Sequence, residues 1–128
     1  MPRPILVLCL LAALALALPA RALERDAYSE RAFDAALASG RPVLLHVQRT
    51  SFPACRDQWQ AAERLRESAL TENAVIMLID TDTQRAALRR FGIARDCTLI
   101  AFRDGRETSR RIGTVDPVSI RAMFGTKP

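Results

Sequence analysis

Residues 43–55 read VLLHVQRTSFPAC, and they predict a strand that leads into a helix. The segment Val43–Val47 is short, continuous and apolar, as in a strand that is buried on both faces. Pro53 suits the first position of a helix, because the backbone N–H that proline lacks has no intrahelical partner there. Beyond Cys55, apolar residues recur at helical spacing, namely Trp59, Ala62, Leu65 and Ala69. The pattern therefore places Cys55 on the buried face of that helix.

Cys55 is the residue of greatest chemical interest in this stretch. A cysteine pair spaced C-x-x-C at a strand-to-helix junction is the usual arrangement for thiol–disulfide exchange, because the helix dipole stabilises the thiolate of the first cysteine. Phe52 stands where that first cysteine would be, and only the inner sulfur is present. We therefore expect no ordinary dithiol–disulfide oxidoreductase activity.

The rest of the chain predicts one domain of the α/β class. Helices are expected at 29–40, 53–69, 82–91 and 116–124, and strands at 43–47, 74–79, 98–102 and 106–112. Asp104-Gly105 is a strong hairpin signal between the last two strands. The order α-β-α-β-α-β-β-α predicts a mixed sheet of about four strands flanked by helices, parallel in its first half and antiparallel in its second.

The first twenty-two residues have the pattern of an export signal. Arg3 precedes an unbroken apolar run at 5–18, and Ala20 and Ala22 are the small residues that a signal peptidase reads. Cleavage would leave residues 23–128 as a periplasmic domain, whereas the alternative is an uncleaved N-terminal anchor. Cys9 lies inside the apolar run, so we do not expect a lipoprotein anchor.

The charge pattern does not indicate a nucleic-acid partner. Without Arg3 and Arg21, the nineteen basic residues fall to seventeen against fourteen acidic ones, a net charge of +3. The two signs are interleaved along the chain, as on an ordinary solvated surface. We expect a monomer without a cofactor and without membrane contact after signal cleavage. Two cysteines remain in the mature chain, and an oxidising compartment would allow them to pair.

The order of elements and the Pro53-Ala54-Cys55 junction resemble the thioredoxin fold over nearly all of residues 23–128. Residues 40–45, GRPVLL, are similar to the start of the active-site strand in periplasmic thioredoxin-like domains, such as the C-terminal domain of the thiol:disulfide interchange reductase. Residues 91–93 and 98–106, followed by Gly113, are similar to a later segment of the family. The chain thus resembles a thioredoxin-like protein with a degenerate active site.

The resemblance implies that three distant residues converge at one site. Cys55 matches the inner cysteine of the family motif, and Phe52 takes the place of the nucleophile. His46 falls where thioredoxins often bury an aspartate that relays protons to the inner cysteine. Cys97 takes the place of the family's cis-proline, and we expect a trans peptide there because a non-proline cis bond costs about 3 kcal/mol.

Several interpretations of this convergence are open at the level of sequence. Cys55 and Cys97 could form a disulfide, either structural or redox-active. Alternatively, His46 could activate Cys55 in a single-cysteine site, or all three residues could bind copper(I) or zinc. In the inert interpretation, Cys55 and His46 only fill the core and Cys97 is an ordinary loop residue.

The function that we predict is an exported member of the thiol–disulfide redox family that lacks the nucleophilic cysteine. Cys55 and Cys97 would act in it, with His46 in support, or the domain would serve to bind polypeptides. Its partner is expected to be a polypeptide or a thiol–disulfide exchange partner. The surface of this protein that binds the partner would comprise Phe52, Pro53, Arg95 and Asp96. The alternative function is periplasmic metal handling by the same three site residues.

Overall fold

The computed structural model describes residues 26–49, 55–114 and 116–125. The predicted signal segment, residues 1–22, lies outside the described residues, as do Phe52 and Pro53 from the predicted binding surface. Within the described part of the chain, no helix has both the length and the apolar character needed to cross a membrane.

Helices and strands alternate until a hairpin near the C-terminus. The strands are β1 (Asp26–Ala27), β2 (Val43–Gln48), β3 (Val75–Asp80), β4 (Thr98–Arg103) and β5 (Arg106–Ile112). The α-helices are α1 (Glu30–Ala38), α2 (Arg56–Glu63), α3 (Arg85–Phe91) and α4 (Pro117–Ala122), and a 3₁₀ helix spans Arg64–Glu67.

The strands form one mixed sheet in the order β1-β3-β2-β4-β5. β1, β3 and β2 run parallel, whereas β4 is antiparallel to β2 and β5 is antiparallel to β4. The predicted class and the four predicted strands are confirmed. The two-residue β1 adds a fifth strand at the edge, where Asp26 pairs with Met77 and Ala27 pairs with Leu78.

The predicted helix over 53–69 is shorter than expected. Its α-helical part ends at Glu63, and the 3₁₀ helix follows. The hydroxyl of Thr71 donates to the carbonyl oxygen of Leu65, which a longer α-helix would have offered to the backbone N–H of Ala69. This side-chain bond therefore satisfies the Leu65 carbonyl oxygen where the helix ends, although the apolar pattern of the sequence continues to Ala69.

β2 is the centre of the sheet, and its side chains supply both faces of the core. All six of its residues are buried, as expected of a strand that is covered on both sides. Val43, Leu45 and Val47 face α1 and α3. Leu44 faces α2 and α4, and the alternation of side chains along a strand places His46 on that same face.

The topology creates a crevice at one end of the sheet, where β2 and β3 have their carboxyl ends. The chain leaves the carboxyl end of β2 toward α2 on one face, and it leaves β3 toward α3 on the opposite face. Adjacent parallel strands whose connections diverge in this way form the usual binding crevice of an open α/β sheet. Because β4 is antiparallel to β2, the residues just before Thr98 lie at the same end of the sheet. Residues 49, 55 and 97 are thus all at the crevice.

Candidate functional site

The site is built around a disulfide between Cys55 and Cys97. Cys55 immediately precedes α2, and Cys97 immediately precedes β4. The two residues are 42 positions apart in sequence, yet their Cα atoms are 5.2 Å apart, within the range that a disulfide requires. The predicted convergence of these two cysteines is therefore confirmed.

The two cysteines differ in their access to solvent. Cys55 is fully buried, with 0% of its surface exposed, as the helical stripe predicted. Cys97 is partly exposed, at the end of the sheet where the crevice lies. Of the two bonded cysteines, Cys97 is therefore the one nearer to solvent.

The backbone of Cys97 is fixed by three hydrogen bonds. Its N–H donates to the carbonyl oxygen of Val47 over 2.8 Å, and its own carbonyl oxygen accepts from the N–H of Gly113 over 2.9 Å. The same oxygen accepts from Nε2 of Gln58 over 2.8 Å. These bonds hold Cys97 at φ 56°, in the left-handed region that favours glycine. The described residues contain no cis peptide bond, so the expected trans peptide at Cys97 is confirmed.

Gln58 connects the bridge to His46. Both side chains are buried, with exposed fractions of 1% and 0%. The Nε2 atom of His46 lies 2.9 Å from Oε1 of Gln58, and because an amide oxygen can only accept, this Nε2 carries the proton and donates. The imidazole also stacks on Trp59, with ring centroids 6.1 Å apart. His46 is thus linked to Cys97 through an amide.

Gln58 is the site residue that the sequence reasoning missed. It lies three residues after Cys55 and one before Trp59, so it belongs to the same apolar helical stripe. A glutamine in the middle of a buried stripe needs hydrogen-bond partners, because an unsatisfied buried amide is costly. That signal was available in the sequence, although it does not identify the partners.

Arg95 and Asp96, which were predicted to contact a partner, lie beside Cys97 in the loop before β4. Arg95 is exposed, and its carbonyl oxygen accepts from the hydroxyl of Thr98. The carboxylate of Asp96 lies 3.8 Å from the Arg49 guanidinium, which also pairs with Asp82 at 3.3 Å. A cavity of about 230 Å³ opens here, lined by Arg49, Thr81, Leu88, Ile93, Ala94, Arg95 and Asp96.

The geometry offers little to a metal ion. The thiolate is the metal-binding form of cysteine, and both thiols of the site are joined in the disulfide. Among residues 26–49, 55–114 and 116–125, no three His, Cys, Asp or Glu side chains form a group that could hold an ion.

Solved structures of the same architecture identify the family. The chain is 33% identical to Trxlp from Edwardsiella tarda EIB202, with a TM-score of 0.69, and the match covers 77% of this chain and 97% of that one. A mutant thioredoxin from Halobacterium salinarum gives 21% identity and a TM-score of 0.64, covering 80% and 91% of the two chains. Oxidized thioredoxin O2 from Arabidopsis thaliana gives 20% identity and a TM-score of 0.58, and the match covers 73% of this chain and 84% of that one.

The chain therefore belongs to the thioredoxin-like family. No protein-family model matches its sequence, and no curated protein is significantly similar to it.

Proposed function

We propose that the protein exchanges its Cys55–Cys97 disulfide with thiols of polypeptide partners. The observation that carries the proposal is that the two cysteines are bonded at the crevice of a thioredoxin-like fold, with Cys97 partly exposed. Ligands of open α/β sheets bind at such crevices. The membership of the family supports a redox role for this pair.

Exchange would begin at Cys97. A partner thiolate attacks the Sγ of Cys97, the bond between Cys97 and Cys55 breaks, and Cys55 leaves as a thiolate that takes up a proton. A second thiolate of the partner then attacks the partner's own sulfur in the mixed disulfide and releases Cys97. The partner gains a disulfide, the protein becomes a dithiol, and the reverse sequence reduces a partner. The full burial of Cys55 supports this order, because a buried sulfur is shielded from attack.

The proposed site replaces the attacking cysteine of the family motif. Phe52 stands at the position of that cysteine, and a phenyl ring cannot attack a disulfide. The sulfur of the less buried cysteine is then supplied by the loop before β4 rather than by the start of α2. The proposal includes export through residues 1–22 to the periplasm, since an oxidising compartment would maintain the bridge.

Peptide binding without exchange has less support. The family's groove holds an extended peptide beside the residue before β4, and such binding relies on main-chain hydrogen bonds. Here the carbonyl oxygen of Cys97 already accepts from Gly113 and Gln58, so it has no lone pair left for a peptide. Side-chain contacts at Arg95 and Asp96, along the neighbouring cavity, are what a polypeptide partner would use.

Disulfide transfer to a polypeptide tests this function. Oxidised protein, residues 23–128, is mixed with an equimolar reduced peptide that contains two cysteines, quenched with acid, alkylated and weighed by mass spectrometry. The proposal predicts that the bridge moves to the peptide at a rate well above that of air oxidation. The Cys97→Ser variant, which has no bridge, should leave the peptide reduced. If wild-type protein and this variant behaved alike, the bridge would be structural only.

A further inference from the structure

Gln58 contacts both the central strand of the sheet and the loop that carries the partly exposed Cys97. Its side chain leaves α2 three residues after Cys55, accepts from His46 of β2 and donates to the backbone of Cys97. The link between α2 and the Cys97 loop is therefore double, because it consists of one covalent bond and one amide contact. Only the covalent bond is lost on reduction.

We propose that Gln58 is a positioning residue that keeps Cys97 against α2 when the disulfide is open. The inference rests on the proposed exchange function, in which the bridge opens and closes. With the amide contact intact, the two thiols of the reduced protein remain close to bonding distance. The contact thereby favours closure of the bridge and makes the couple more reducing.

The argument depends on a difference between the two redox states. In the oxidised protein the S–S bond holds Cys97 in place whether or not Gln58 is present. In the reduced protein the loop depends on the hydrogen bond that Cys97 donates to Val47 and on those that it accepts from Gly113 and Gln58. Removing the Gln58 contact therefore loosens the reduced state more than the oxidised state, and the added freedom of the loop opposes ring closure.

The expected effect is measurable. Loss of the contact should lower the equilibrium constant for forming the bridge about tenfold, which corresponds to a reduction potential about 30 mV less negative for this two-electron couple. A purely structural glutamine would destabilise both redox states equally and would leave the potential unchanged.

The experiment measures the reduction potential of four proteins, each comprising residues 23–128, in glutathione or dithiothreitol buffers. Gln58→Met removes both polar contacts at similar volume. Gln58→Glu keeps an acceptor for His46 but, when ionised, cannot donate to Cys97. Gln60→Met is the matched control, because Gln60 is exposed on the same helix. If Gln58→Met does not fold, Gln58→Asn replaces it, since the shorter amide cannot span both partners.

Both Gln58 variants should shift to less negative potentials, and Gln60→Met should match the wild type. If the equilibrium constants for forming the bridge in the Gln58 variants lay within twofold of the wild-type value, the proposed role of Gln58 would be overturned. That outcome is distinct from failure of the proposed function, which would appear as a wild-type protein that does not transfer its bridge to the peptide.

Discussion

The backbone N–H of Cys97 donates to the carbonyl oxygen of Val47 over 2.8 Å, one residue beyond the last paired position of β2 and β4. This bond lies at the end of the ladder, next to the Val47–Thr98 pair, so the cysteine is tied to the central strand of the sheet. The disulfide to Cys55 then joins that strand pair to the start of α2. The bridge thus fixes the start of α2 to the end of the sheet at which the crevice lies.

Reduction of the bridge should destabilise the domain. Because the bridge closes a loop of 42 residues, the chain-entropy model gives a loss of about 4 kcal/mol in the free energy of unfolding. Urea unfolding of residues 23–128, followed by tryptophan fluorescence with and without reductant, measures the loss. The Cys97→Ser variant is the control, and reductant should not change its stability. A wild-type curve that is insensitive to reductant would contradict the bridge.

The two thiols should differ in reactivity when each is left alone. Alkylation of the native Cys55→Ser variant, which retains Cys97, should be at least about tenfold faster than alkylation of Cys97→Ser, since a buried thiol is protected. Iodoacetamide labelling followed by mass spectrometry gives both rates. Both variants should label fully in denaturant. Faster labelling of Cys55 in the native protein would reverse the proposed order of attack.

The left-handed backbone at Cys97 predicts an unusual preference for glycine at a cysteine position. Cys97→Gly and Cys97→Ala both lose the bridge, but only alanine retains a Cβ at φ 56°. The glycine variant should be more stable by about 1 kcal/mol, because glycine adopts this conformation without steric cost. Chemical denaturation of the two variants decides the point. An alanine variant of equal or greater stability would show that the loop relaxes once the bridge is gone.

His46 and Gln58 should be energetically coupled. His46→Leu leaves Oε1 of Gln58 without the donor that it has now, and a buried acceptor in that state costs about 1–3 kcal/mol. The double variant His46→Leu/Gln58→Leu removes both polar groups and should lose less stability than the sum of the two single variants. Urea unfolding of the four proteins completes the cycle. Strict additivity would contradict the coupling.

Much of the fold could be predicted from sequence because its signals are local and strong. The four longer strands have apolar runs or a hairpin turn at Asp104-Gly105, and each is present. β1 has only two residues, too few for any periodicity, and its pairing depends on β3 far along the chain. The end of α2 also escaped prediction, since the Thr71 hydroxyl that satisfies it lies outside the helix.

The site was predictable in part, and through the family resemblance rather than through spacing. That resemblance brought Cys55 and Cys97 together, and their proximity is confirmed. The disulfide between them was one of several interpretations that the sequence left open, and it is the one that the structure contains. The hydrogen bond from His46 to Gln58 was not foreseen, because side-chain contacts between a strand and a helix depend on rotamers that no sequence pattern specifies. Roles for His46, Arg95 and Asp96, and for Phe52 and Pro53 outside the described residues, stay predictions.

The reduction potential of the Cys55–Cys97 couple tests the central claim most directly. The oxidised domain is equilibrated in dithiothreitol and glutathione buffers, quenched with acid and quantified by mass after alkylation. An exchangeable bridge is expected at a potential less negative than about −300 mV, in the range of redox-active pairs. A bridge that stays closed at more negative potentials would be structural, and two free thiols in the purified protein would mean that no bridge forms.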